Sequence, residues 1–234
     1  MYKRQVQKGL SKLGVKKGTI VAGFVPNCAE TVISMLAVSS LGGVWTSCSP
    51  DFGANGVVDR FGQVNPHILI TSNGYSYNGK LFKLEEKVNG VLESIDSIRH
   101  IVEIEYVDIK SNFNHDSIIS FGDILNGEQT KPTFEQLPFN HPLFIMYSSG
   151  TTGPPKSIVH SSGGTLIQHM KEHQLHCDIK AGKSTMFWFT TCGWMMWNWL
   201  VSGLSSGSTI VLYDGSPSYP SLERLWKMID DLNI

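Results

Sequence analysis

Short apolar runs recur along the chain, and each leads into a segment with helical spacing. Thr19–Val25 reads T-I-V-A-G-F-V and is stopped by Pro26. Apolar or small residues then recur at 29, 32, 33, 36, 37, 40 and 41, which places them on one helix face, and Gly42-Gly43 ends the run. Asn27 and Glu30 have the spacing of a capping box at the start of that helix. The same rhythm predicts a strand at Val44–Cys48, a helix at Asn55–Val64 and a strand at His67–Thr71. An amphipathic helix over Lys80–Ile95 and a strand at Ile98–Ile104 follow. Strands that alternate with helices are joined by right-handed crossovers. The expected fold class is therefore α/β, with mostly parallel sheets and flanking helices.

Beyond residue 110 the pattern loosens. The stretch 110–142 is polar, carries Pro132 and Pro138, and reads as a connection with short elements, compatible with a seam between subdomains. Leu143–Tyr147 is a strong short strand, Gly164–His176 a helix and Met186–Phe189 a strand. Trp194–Leu200 reads as a helix, Thr209–Tyr213 as a strand and Ser221–Leu232 as an amphipathic helix. With 41% hydrophobic and 17% charged residues over 234 positions, the chain can bury a real core and is not disordered. Nineteen Lys+Arg against 20 Asp+Glu leave a net charge of −1, so neither nucleic acid nor an anionic membrane is expected as a partner.

Ser184–Tyr213 carries no charge and holds four of the six tryptophans. Thr190, Thr191, Gly193, Asn198 and several serines interrupt it, and its tryptophans cluster in the middle rather than at two interfaces. Buried core plus an apolar pocket wall is the expected role, without stable membrane insertion. The cysteines at 28, 48, 177 and 192 form no C-x-x-C pair and read as reduced thiols. Residues 1–17 are polar and basic and do not resemble a secretory signal. A cytoplasmic location is expected.

The segment Tyr147-Ser-Ser-Gly-Thr-Thr-Gly-Pro-Pro-Lys156 concentrates the chemistry. Four hydroxyl residues (Ser148, Ser149, Thr151, Thr152) and the glycines Gly150 and Gly153 follow directly on a buried strand. α/β proteins bind ligands at the carboxyl ends of parallel strands. Glycines let backbone N–H groups approach phosphate oxygens, hydroxyls donate further bonds, and Lys156 can neutralise developing negative charge. Composition alone is equally compatible with a solvated Gly/Pro loop.

The ten residues Y-S-S-G-T-T-G-P-P-K resemble the phosphate-binding signature of the acyl-adenylate-forming (AMP-binding) enzymes. Ser157 departs from the glycine many members carry after the lysine. Ser49-Pro-Asp-Phe-Gly53, Asp59-Arg-Phe-Gly62 and Asp214-Gly-Ser-Pro-Ser-Tyr-Pro220 are similar to the acetyl-CoA-synthetase branch. Thr190-Thr-Cys-Gly-Trp-Met-Met-Trp-Asn-Trp199 resembles the acetoacetyl-CoA synthetases within it. The resemblance implies an acid–thiol ligase that makes an acyl-adenylate and pyrophosphate from acetoacetate and ATP, then passes the acyl group to coenzyme A. It implies ATP, coenzyme A and Mg2+ as cofactors, the Mg2+ ligands lying outside this chain. Ser148, Ser149, Gly150, Thr151, Thr152, Gly153 and Lys156 are the implied phosphate loop, with Thr151 and Lys156 catalytic. Trp194, Met195 and Met196 are the implied acyl-pocket wall, which an uncharged aromatic and methionine surface suits. The chain would be part of the large N-terminal adenylation domain. The adenine and ribose motifs and the C-terminal lid are absent from it, so complete turnover by this chain alone is not expected.

Two other readings compete. One is a catalytically inactive nucleotide-binding fragment. The other is a zinc hydrolase, because His169-Met-Lys-Glu172-His173 matches H-x-x-E-H, with two histidines on one helix face and Glu172 as base. Gly182-Lys183-Ser184 lacks the first glycine of a Walker loop and a preceding strand, and no dedicated protein metal site is expected.

Overall fold

A computed structural model describes residues 2–126, 131–149 and 153–234. The chain opens with α1 (Tyr2–Lys12), β1 (Ile20–Phe24), α2 (Ala29–Ser40), β2 (Val44–Cys48), α3 (Ala54–Phe61) and β3 (Ile68–Ser72). An antiparallel hairpin, β4 (Gly74–Tyr77) and β5 (Lys80–Lys83), precedes α4 (Glu85–Ser94) and β6 (His100–Ile104). Next come β7 (Ile118–Ser120), α5 (Phe121–Leu125), β8 (Pro142–Tyr147) and β9 (Ser157–Ser161). α6 (Ser162–Lys171) continues into a π turn over Glu172–His176. The last elements are β10 (Thr185–Phe187), α7 (Met195–Ser202), β11 (Thr209–Val211) and α8 (Arg224–Leu232).

Seven strands form the main sheet in the order β7-β6-β3-β1-β2-β8-β9. Every neighbouring pair is parallel except β8 and β9. The α/β class with a mostly parallel sheet and flanking helices is thus what forms. Successive strand residues point to opposite faces and build two cores. Val21, Ile68, Ile70 and Val102 pack with Val6 and Leu10 of α1 and with Val32 and Met35 of α2. Ala22, Phe24, Leu69 and Ile101 pack on the other side with Val57 and Phe61 of α3 and with Val88 and Val91 of α4. Trp197 and Val201 of α7 join the first core, which ties the uncharged segment to the sheet.

Four elements differ from expectation. α1 forms from a basic N-terminal stretch because Val6 and Leu10 are fully buried on one face. The segment expected as one helix from Lys80 begins as a strand. Asn78 and Gly79 take positive φ (50° and 74°), the geometry of a two-residue hairpin turn, and pair Tyr77 with Lys80. β9 pairs antiparallel along β8, so the hydroxyl-rich loop joins two strands rather than a strand and a helix. The capping box does not form. Cys28 is the N-cap of α2 and makes no side-chain cap bond, because the Asn27 side chain is engaged elsewhere.

The uncharged run is split in its burial. Trp197 and Trp199 are buried, whereas Trp188 and Trp194 are 47% and 61% exposed. Among the described residues no helix is long and apolar enough to cross a membrane. All four cysteines are free.

Gly23 in β1 faces the buried Trp45 ring. A Cβ there would sit 2.6 Å from Trp45 Cζ2 and 2.8 Å from Cη2. Gly23→Ala is expected to destabilise the fold by about 1–3 kcal/mol. Urea unfolding checks this through its midpoint, and an unchanged midpoint would show that the sheet relaxes around the methyl.

Candidate active site

The parallel register brings the carboxyl ends of β1, β2 and β8 to one edge of the sheet. The loop after β8 leaves there and is pinned at its neck. Ser148 N–H donates to Lys156 O at 3.0 Å, and Lys156 N–H donates to Ser148 Oγ at 2.9 Å. Gln63, just past α3, holds the far side: its Nε2 donates to Pro155 O at 2.7 Å and its Oε1 accepts from Ser157 Oγ at 2.6 Å. The serine after Lys156 therefore has a structural task that glycine could not perform. Lys156 is exposed. Arg60 lies beside the loop's root, with its guanidinium 4.9 Å from the Phe52 ring centroid and 5.9 Å from that of Tyr147. Thr46 Oγ1 donates to Tyr147 OH at 2.9 Å, and burial pushes the Tyr147 hydroxyl well above the usual phenol range.

The turn that starts α7 is seated against the same edge. Ser47 Oγ donates to Cys192 O at 2.7 Å, and Cys192 Sγ approaches Pro26 O at 3.4 Å. Gly193 leaves only 3.3 Å between an added Cβ and Phe52 Cζ or Ser49 N. Trp194 is the N-cap of α7, Met195 is exposed, and Met196 packs against Met186, Trp199 and Leu200. Behind this turn, Asn27 is a hub. Trp197 Nε1 donates to Asn27 Oδ1 at 2.8 Å, Asn27 Nδ2 donates to Tyr213 O at 3.1 Å, and Asn27 N–H donates to Asp214 Oδ1 at 3.2 Å. Tyr106 OH donates to Asp214 Oδ2 at 3.2 Å, and burial raises the Asp214 carboxyl pKa despite these bonds.

A cavity of about 360 Å³ opens between β9, α6 and Met195. Thr165, Gln168, His169 and Glu172 line it at helical spacing, so they share one face of α6 and the π turn after it. His169 Nδ1 lies 2.8 Å from Ser202 Oγ, and Glu172 accepts from Gln168 Nε2 at 2.5 Å and from Trp199 Nε1 at 2.9 Å. His173 is fully buried against Trp199, and among the described residues neither of its ring nitrogens has a hydrogen-bond partner.

An AMP-binding enzyme family model matches residues 3–234. The chain belongs to the AMP-binding enzyme family. It is 46% identical to the acetoacetyl-CoA synthetase of Xenopus tropicalis, over 96% of this chain and 34% of that protein. It is 49% identical to the acetoacetyl-coenzyme A synthetase of Rhizobium meliloti, over 92% of this chain and 33% of that one. The solved acetoacetyl-CoA synthetase of Streptomyces lividans superposes with a TM-score of 0.93 at 43% identity, over 99% of this chain and 35% of that chain. The chain spans about a third of the length of the curated relatives it matches.

Within this AMP-binding enzyme chain, the implied phosphate loop is only partly placed. Ser148, Ser149, Gly153 and Lys156 are described, whereas Gly150, Thr151 and Thr152 lie outside the described residues. Of the implied pocket wall, Met195 reaches the cavity, Trp194 faces a small cleft beside Tyr147 and Cys192, and Met196 turns into the core. The zinc pattern is not assembled. The His169 and His173 ring centroids are 6.2 Å apart, the Glu172 carboxylate is held by Trp199, and no group of three His, Cys, Asp or Glu among the described residues could hold a metal ion. The sequence reading missed Gln63, Arg60 and Thr165. The D-R-F-G block flagged Arg60's surroundings, but long-range pairing alone reveals the Gln63 clamp.

The His169 pKa is lowered to about 4, chiefly by burial and also by His173 and His160, against the opposing pull of Glu172. Between pH 6.5 and about 4 the unfolded chain binds a proton that the folded state refuses, so this contribution to stability is lost as pH falls. Relative to His169→Gln, the wild type is expected to lose up to about 3 kcal/mol over that window. Parallel denaturant titrations at pH 7 and pH 4.5 measure the difference, and a constant gap between the two proteins would refute it.

Proposed function

We propose that this chain supplies the phosphate grip and part of the acyl-pocket wall of an acetoacetate–CoA ligase. The reaction would run in two steps. The acetoacetate carboxylate attacks the α-phosphorus of ATP and expels pyrophosphate, and the coenzyme A thiol then displaces AMP from the acyl carbon. Ser148, Ser149, Gly150, Thr151, Thr152, Gly153 and Lys156 would hold the β- and γ-phosphates. Lys156 and Thr151 would offset charge on the departing pyrophosphate. Mg2+ would travel with the ATP phosphates and neutralise them further. Trp194 and Met195 would flank the acid, with Met196 supporting them from the core, and a water-poor setting there would raise the reactivity of its carboxylate.

The observation that best supports this reading is the placing of the pinned loop. It leaves the carboxyl end of a parallel strand beside both Arg60 and the uncharged turn before α7. The acid is suggested by the names of the Xenopus, Rhizobium and Streptomyces relatives. The same family includes the malonamoyl-CoA synthetase of Penicillium aethiopicum, 43% identical over 99% of this chain and 34% of that protein, so the acyl end need not be a ketone. The chain would be one part of a larger adenylation domain, and a cytosolic setting accords with its free thiols.

Calorimetric titration and ATP–pyrophosphate exchange test the reading together. MgATP is expected to bind, and Lys156→Ala is expected to weaken binding roughly tenfold or more, the value of one charge-assisted phosphate contact. Acetoacetate-dependent exchange supports a ligase. ATP binding with no exchange in the presence of acetoacetate favours the inactive nucleotide-binding fragment.

A further inference from the structure

The cavity behind Met195 carries a defined hydrogen-bonding pattern. Ser202 Oγ donates its only hydrogen to Trp199 O at 2.7 Å. It must therefore accept the 2.8 Å bond from His169, which fixes the proton of that neutral ring on Nδ1. Among the described residues His169 Nε2 has no hydrogen-bond partner and is left as a bare lone pair, on a residue only 7% exposed that lines the cavity. Glu172 adds a carboxylate whose geometry is fixed by Trp199 Nε1 and Gln168 Nε2. Thr165, also largely buried and lining the cavity, makes no side-chain hydrogen bond among the described residues, so its hydroxyl is free to donate to a carbonyl. The wall thus offers acceptors, one negative charge and the hydroxyls of Ser161 and Thr165, and among the described residues no Lys or Arg lines it.

β9 connects this cavity to the phosphate loop: Ser157 follows Lys156, and Val159, His160 and Ser161 line the cavity. A ligand laid along β9 from the loop would have its far end at α6. The volume, about 360 Å³, lies within the range of small-molecule sites, roughly 300–1,000 Å³.

We propose that this cavity receives the end of the acyl chain remote from the reacting carboxylate, and that Glu172 with the bare His169 Nε2 makes it select an uncharged end, a methyl ketone or primary amide, over a second carboxylate. The inference rests on the ligase reading and adds its specificity. A ketone oxygen takes the Thr165 hydroxyl, and an amide N–H can also be accepted by His169 Nε2. A terminal carboxylate would meet the Glu172 carboxylate with no Lys or Arg in the wall to offset it, and like charges there cost affinity.

The test is a calorimetric titration of acetoacetate, malonamate and malonate into the MgATP-loaded protein, as wild type, Glu172→Gln and Glu172→Asp. The wild type is expected to prefer acetoacetate and malonamate over malonate by roughly tenfold or more. Glu172→Gln should shrink that ratio at least fivefold, and Glu172→Asp, which keeps the charge, should retain it. Acetoacetate binding with an unchanged ratio in Glu172→Gln overturns the proposal and leaves the ligase reading standing. Equal relaxation in Glu172→Asp also overturns it, since that marks a packing effect. MgATP binding with none of the three acids bound defeats the acid-activating reading itself, and the proposal with it.

Discussion

A parallel sheet has no face to spare for water, and that constraint organises this molecule. β1 lies between β2 and β3, and its side chains alternate between two cores: Val21 on one side, Ala22 and Phe24 on the other. Helices must cover both sides, so the chain crosses over between β1 and β2, between β2 and β3 and between β3 and β6, and these crossovers leave from the same edge. The turn after β1, the S-P-D-F-G turn after β2 and the hydroxyl loop after β8 meet for this reason. Each segment contributes little to a site alone; the site exists because the sheet is buried on both faces.

The polar network around Asn27 follows from the same constraint. The uncharged run must pack on the first core through Trp197, and a fully buried indole N–H needs an acceptor. Asn27 provides it while also engaging Tyr213 and Asp214, so one residue at the end of β1 fixes α7 and the chain after β11 together. The absence of a side-chain cap on α2 is the cost of this arrangement. The local rule at the helix start yields to a long-range bond, because leaving the Trp197 N–H unpaired would be the larger penalty.

What could be read from the sequence divides along the range of the interactions. Apolar runs such as Ile20–Phe24 and Ile68–Ser72 state their own burial, and Gly42-Gly43 marks a helix end, so the five elements from β1 to β3 were legible to within a few residues. The phosphate-loop motif was equally legible, because its residues are contiguous. The β4–β5 hairpin was signalled by Asn78-Gly79 and obscured by the amphipathic spacing that continues into α4. β9 was not legible, since Ser157–Ser161 is too short and mixed to declare a strand until β8 is there to pair with it. Gln63 and the Asn27 hub are invisible for a related reason: their partners lie far along the chain, at Pro155 and Trp197.

The placing of charge in the finished fold is the last consequence. Lys156 and Arg60 stand at the open edge, where a polyanion can approach and water can leave. Deeper along β9, basic side chains disappear and a neutral His169 with Glu172 takes their place. Had a lysine occupied position 169 or 172, the cavity would draw phosphate and carboxylate as strongly as the loop does, and an acid could bind in either direction. On the proposed ligase reading, a cation-free pocket behind a cationic mouth would leave one favourable orientation, carboxylate toward the loop and uncharged end toward α6. The strand that joins the two is β9, whose antiparallel pairing to β8 fixes their separation, so the edge strand least visible in the sequence sets the polarity of the site.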